Sequence, residues 1–314
     1  MIPMKIWRSL AAVATAAVLT TVAACSSTSP TTAGASDKLS VAAAFYPFEF
    51  VAQRVGGDQV EVTSLTPPGA EPHDLELTPQ QVAAVGAADL VVFESGFQGA
   101  VDSAVEQMQP QRTVDVATFV DMLVLDADGE EHAEDEGDDH GATDPHTWLD
   151  PTNMVLIAEH VRDALTEARP EAKQEFSDNT EALISDLTTL DGDITSELTG
   201  CRLQTFITSH AAFGYFAERY GLTQVGIRGI EPDVEPTAAR IAEVQQLAKD
   251  QGVTTIFFET LVSPVVSESI AGDLGLKTDV LDPIAGITSE SRGSDYLEVM
   301  RANASALKTA NQCG

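Results

Sequence analysis

Short β-rich runs alternate with helical stretches along most of the chain. LSVAAAF, VEVTSL, ADLVVFE and TVDVA occupy the first half, and LQTFITS, TQVGI, TTIFFE and KTDVLD the second. Strands that alternate with helices predict parallel sheets assembled from βα units, because a parallel pair needs a long crossover. The halves also match each other. FEFVAQRVG from Phe48 resembles FGYFAERYG from Phe213, AEPHDLELTP resembles IEPDVEPT, and VVFES resembles IFFET, at offsets of 160 to 165 residues. Three matches in the same order predict two copies of one fold. Between them, Phe176, Leu183, Leu187, Leu190, Ile194 and Leu198 recur at helical spacing with no proline from Glu171 to Leu198. That stripe predicts one long helix joining the copies. The expected fold class is therefore α/β, with two pseudo-symmetric parallel-sheet lobes over 38–170 and 200–314, a linking helix over 171–199 and a cleft between the lobes.

The beginning of the chain follows a different pattern. Lys5 and Arg8 precede a charge-free apolar run from Ser9 to Ala24. A cationic start, a short apolar run and small residues at its end predict a secretory signal peptide over 1–24. VAAC, ending at Cys25, looks like a bacterial lipobox, which implies that Cys25 carries lipid and anchors the chain outside the cell membrane. The Ser/Thr-rich stretch 25–37 then reads as a tether. Such a compartment is oxidising. Of the three cysteines, Cys25 is taken by the lipid, so Cys201 and Cys313 are expected to form a disulfide.

Charge narrows the function. The formal net charge is −32, and it becomes −34 once the two signal-peptide cations are removed. Such acidity repels the phosphates of nucleic acid and excludes it as a partner. It suits a protein that handles cations. The segment 126–140, DADGEEHAEDEGDDH, has nine carboxylates and two histidines. It is too polar to bury a core and reads as a mobile acidic loop containing histidine.

In open parallel sheets, ligand groups gather beyond the carboxyl ends of the strands. Of the six histidines, this rule selects His73 after VEVTSL, His210 after LQTFITS, and His146 at the loop that closes the first lobe. It also selects Asp282 at the end of KTDVLD. Three imidazoles and one carboxylate form a complete tetrahedral set for zinc. In DPHTWLDP, two prolines and Trp148 stiffen the backbone around His146, and Asp144 or Asp150 is placed to orient its ring. His160 falls off the stripe Val155, Ala158, Val161 and Leu165, so it reads as a solvated helix residue.

TPPGAEPHDLELTP, DPHTWLDP, SHAAFGYFAERYG and VLDPIAG, in that order, resemble the metal-binding lipoproteins of zinc and manganese ABC importers over nearly all of the chain after the signal peptide. The resemblance implies metal ligands at His73, His146, His210 and Asp282, a role for the acidic loop 126–140 in attracting or loosely holding zinc, a lipid anchor at the membrane, and partnership as a monomer with a permease and its ATPase. Histidine at 210, where manganese-handling relatives usually have a carboxylate, favours Zn²⁺ as the transported ligand. Manganese or iron is the alternative cargo. A zinc hydrolase, with Glu71 or Asp282 as base, is the rival from another class, and it lacks HExxH. The expectation is a binding protein without catalysis.

Overall fold

The computed structural model describes residues 38–124 and 143–314. The expected signal peptide, Cys25 with its tether, and the acidic loop 126–140 lie outside the described residues.

The first lobe runs β1 (Leu39–Ala43), α1 (Tyr46–Gly56), β2 (Val60–Ser64), α2 (Pro79–Ala87), β3 (Leu90–Phe93), α3 (Gly99–Met108), β4 (Thr113–Asp115) and α4 (Pro151–Ala168). The linking helix is α5 (Lys173–Glu197). The second lobe follows as β5 (Thr205–Thr208), α6 (Gly214–Tyr220), β6 (Thr223–Gly226), α7 (Ala238–Gln251), β7 (Thr255–Phe258), α8 (Val265–Leu274), β8 (Lys277–Val280) and α9 (Tyr296–Asn311). All eight runs read as strands are strands. Each sheet is parallel, with orders β2-β1-β3-β4 and β6-β5-β7-β8. The shared order is the structural counterpart of the sequence repeat. All four residues of β3 are buried, as expected of a parallel strand covered on both faces.

Helix α5 has 25 residues and extends about 37 Å at about 1.5 Å per residue. Its expected stripe is buried, together with Thr180, and it packs on α1 and α4 of the first lobe and on α9 of the second. In α4 the buried face is Met154, Ile157, Ala158, Val161 and Leu165, with Val155 only half-buried at its edge. His160 is exposed as expected, but its ring also stacks on Phe119 with centroids 3.8 Å apart. Among the described residues, no helix is long and apolar enough to cross a membrane.

The larger hydrophobic core includes residues of both lobes, from Val41 and Phe48 through Leu187 to Phe213, Leu281 and Tyr296. A smaller one, around Ile207, Val244 and Ile256, lies within the second lobe. Trp148 is fully buried in the shared core, edge-on to Phe45 at 4.6 Å. Its indole Nε1 donates to the Pro283 carbonyl of the second lobe at 2.7 Å. In return Tyr296 Oη donates to the Trp148 carbonyl at 2.7 Å, and Tyr215 Oη donates to the Asp144 carbonyl at 3.0 Å. DPHTWLDP is thus bonded to the second lobe along its length. Cys201 and Cys313, 112 residues apart, form a disulfide, closing the second lobe between the end of α5 and the end of α9.

Trp148→Ala removes the largest side chain in this interface and orphans the Pro283 carbonyl. It is expected to cost about 3–5 kcal/mol of unfolding free energy, measurable by denaturant titration.

Candidate metal centre

His73, His146 and His210 form a group of potential metal-ligating side chains whose ligand atoms all lie within 4.8 Å of one another, and it is the only such group of three or more among the described residues. His73 lies in the loop between β2 and α2, His146 just before a 3₁₀ turn at Thr147–Leu149, and His210 two residues beyond β5. His146 Nε2 is 3.3 Å from His73 Nε2 and 3.3 Å from His210 Nε2. A tetrahedral ion with metal–nitrogen bonds of about 2.0–2.1 Å holds its ligand atoms about 3.3–3.4 Å apart. Both measured separations match that spacing.

The other ring nitrogen of each imidazole faces a carboxylate. His146 Nδ1 is 2.7 Å from Asp144 Oδ1, His210 Nδ1 is 2.6 Å from Glu259 Oε1, and His73 Nδ1 is 3.4 Å from Glu231 Oε2. An acceptor at Nδ1 favours the tautomer that keeps the proton there and leaves the Nε2 lone pair directed at the centre. Backbone contacts hold the rings in place. His146 N–H donates to Asp144 Oδ1 at 2.9 Å, and His73 N–H donates to Glu71 Oε2 at 2.8 Å. The His210 carbonyl accepts from Thr208 Oγ1 at 2.6 Å and Gln224 Nε2 at 3.1 Å. Trp148, Leu261, Val262, Pro283 and Ala285 add apolar walls around a cavity of about 10 Å³, room for the centre of about one water-sized particle.

The family model described as zinc-uptake complex component A, periplasmic (ZnuA) matches residues 41–310. The chain belongs to this family. It is 36% identical over 287 residues to the zinc-binding lipoprotein AdcA of Streptococcus pneumoniae strain R6, an alignment covering 89% of this chain and 57% of that protein. It is also 34% identical over 312 residues to the high-affinity zinc uptake system protein ZnuA of Bacillus subtilis strain 168, covering 97% of each. The crystal structure of Zn(II)-bound AdcA from Streptococcus pneumoniae superposes with a TM-score of 0.73 at 33% identity, over 87% of this chain and 58% of that one. The chain spans just over half the length of these streptococcal relatives and nearly all of the Bacillus one.

Within this ZnuA-family fold, Asp282 is not part of the histidine group. It is buried two residues beyond β8. Oδ1 accepts from Ile284 N–H at 2.8 Å, and Oδ2 accepts from Ser291 Oγ at 2.8 Å and Thr260 Oγ1 at 3.4 Å. The two acids flanking His146 have separate tasks. Asp144 orients the ring, whereas Asp150 caps α4 by accepting from Thr152 N–H at 2.7 Å. Glu259 and Glu231 were not singled out from sequence as ring partners. Glu259 directly follows β7, so the strand-end rule that selected His210 and Asp282 also reaches it.

Burial, then the neighbouring positive charges of His210 and His73, holds His146 well below the usual imidazole range. Burial alone would lower His210 too, but the charge and hydrogen bond of Glu259 outweigh it and keep that imidazole above its ordinary value. Burial pushes Asp144 up to about 7, so the Asp144–His146 pair is largely neutral at low pH. A fully buried Glu94 accepts from Thr147 Oγ1 at 2.6 Å, and burial raises its carboxyl far above the carboxylate range. In the metal-free protein, two-dimensional NMR of the imidazole nitrogens is expected to show His210 protonating above pH 6.5 as pH falls and His146 staying neutral well below it. By linkage, the His210 charge contributes stability that is complete below about pH 6.5 and is lost as pH rises through the elevated folded value.

Proposed function

We propose that this chain is the extracytoplasmic zinc-capture protein of an ABC importer, held at the membrane by lipid on Cys25, and that it passes Zn²⁺ to a permease driven by its ATPase. One observation carries this reading: the ligand nitrogens of three histidines converge within 4.8 Å, His146 Nε2 standing at the spacing of a tetrahedral ion from each of the other two, and each imidazole is backed by a carboxylate. The names of the relatives support the same cargo, since AdcA is called zinc-binding and the Bacillus protein a zinc uptake component. Neutral imidazoles suit zinc better than manganese, which prefers oxygen donors.

His73, His146 and His210 are the proposed ligands. They leave one tetrahedral position. Asp282 is the protein group expected there, and its Oδ2 would exchange the Ser291 and Thr260 hydroxyls for the metal. No reaction is part of this function; the buried acids orient and neutralise. The charge arithmetic is favourable as well, because Asp144, Glu259 and Glu231 around neutral imidazoles offset a dication that would otherwise be costly to bury.

Calorimetric titration with Zn²⁺ tests the assignment. His73→Ala and His210→Ala are each expected to lose more than the roughly 10–100-fold in affinity typical of losing an outer partner, with folding intact. Unchanged affinity in both would sink the reading. In the same titration, Asp282→Asn should lose about tenfold or more if the carboxylate is bonded and stay at the parent value if water fills the position.

A further inference from the structure

Two copies of one loop meet above the metal centre. In the first lobe Glu71-Pro72-His73 follows β2, and in the second Glu231-Pro232-Asp233 follows β6, at an offset of 160 residues. The two glutamates approach the same residue from the two lobes. Glu71 accepts the His73 backbone N–H at 2.8 Å, and Glu231 Oε2 lies 3.4 Å from the ring Nδ1. Beside this contact Asp233, the repeat counterpart of His73, meets the side chain of Asp74. Like charges there favour parting the loops, and the His73–Glu231 contact opposes them.

His73 is supported differently from the other two histidines. Asp144 and Glu259 are buried and lie in the same lobe as the imidazoles they orient. Glu231 belongs to the opposite lobe, and its side chain is 59% exposed. A metal on Nε2 draws electron density from the ring and makes Nδ1–H a stronger donor. The contact therefore tightens when the site fills, and it is the support most open to solvent.

We propose that Glu231 is a positioning residue that sets how long captured zinc is retained, by holding His73 onto the ion from the opposite lobe. This rests on the zinc reading above. Loss of the contact frees the third imidazole while His146 and His210 keep their own buried partners. The defect then appears in release and not in capture. Because Glu231 is exposed, its effect falls at the low end of the range for outer partners of metal-bound histidines.

Stopped-flow transfer of Zn²⁺ from the loaded full chain to excess chelator is the test. Glu231→Gln is expected to release zinc about tenfold faster, with an association rate changed by less than about twofold and the metal-free melting temperature unaltered. Glu235→Gln removes the same charge from the same loop, at a side chain 78% exposed whose carboxylate lies 3.7 Å from Arg228 and is not paired with a histidine, and should release zinc at the parent rate. Release from Glu231→Gln at the parent rate, or equal acceleration by Glu235→Gln, overturns the assignment; tight binding by the parent chain in that case leaves the zinc reading standing. A parent chain that holds no Zn²⁺ overturns both.

Discussion

Three imidazole nitrogens 3.3 Å from their neighbours cannot satisfy one another. Each Nδ1 is committed to an acid, so the facing Nε2 atoms carry lone pairs, and lone pairs at that distance repel unless a positive charge sits between them. A proton can bridge one pair. A dication can serve all three at once, and the carboxylates behind the rings then lie where its charge must be balanced. The segments that carry His146 and His210 are anchored by buried hydrogen bonds from their own lobes.

The repeat explains how one centre arises from two similar lobes. In a 2-1-3-4 sheet the order reverses between the first and third strands, and ligand groups collect beyond their carboxyl ends. In the second lobe those ends carry His210 after β5 and Glu259 after β7, and the two pair with each other. In the first lobe the corresponding residues, at an offset of 165, are Phe45 and Glu94. Phe45 is fully buried and packs against Trp148, while Glu94 keeps its buried place and bonds Thr147 instead of an imidazole. One copy holds an imidazole–carboxylate pair at the histidine group, and the other a packing wall with a neutral acid bonded to Thr147.

Much of this was legible in the sequence because it depends on local pattern. The eight strands and α5 follow from periodicity, and the three histidines from the rule that loops converge beyond strand ends. Side-chain partners across lobes have no such signal. Glu231 is separated from His73 by 158 residues, and only the repeat hints that the two loops meet. Asp144 and Asp150 flank His146 on either side, and sequence alone leaves their roles open; the helix starting at Pro151 claims Asp150 as its cap, leaving Asp144 for the ring. Asp282 sits at the strand end as expected, but nearby hydroxyls and a backbone N–H hold its oxygens, which a strand-end rule does not anticipate.

Rigidity also limits how the site can open. A hinge at α5 would have to tear the shared core and break the Trp148–Pro283, Tyr296–Trp148 and Tyr215–Asp144 bonds together. Each is buried, so each broken bond would leave a polar group unsatisfied at a cost of about 1–3 kcal/mol. The two loops that carry Glu71–Asp74 and Glu231–Asp233 are held by fewer such bonds: the Pro72 carbonyl accepts from the buried Gln98 Nε2 at 3.1 Å, but Glu231 and the Asp74–Asp233 acid pair lie at the solvent edge. Motion that admits or frees an ion is therefore cheapest at these loops. Of the three proposed ligands, His73 is the one carried on these loops, while His146 and His210 each pair with a buried acid of their own lobe.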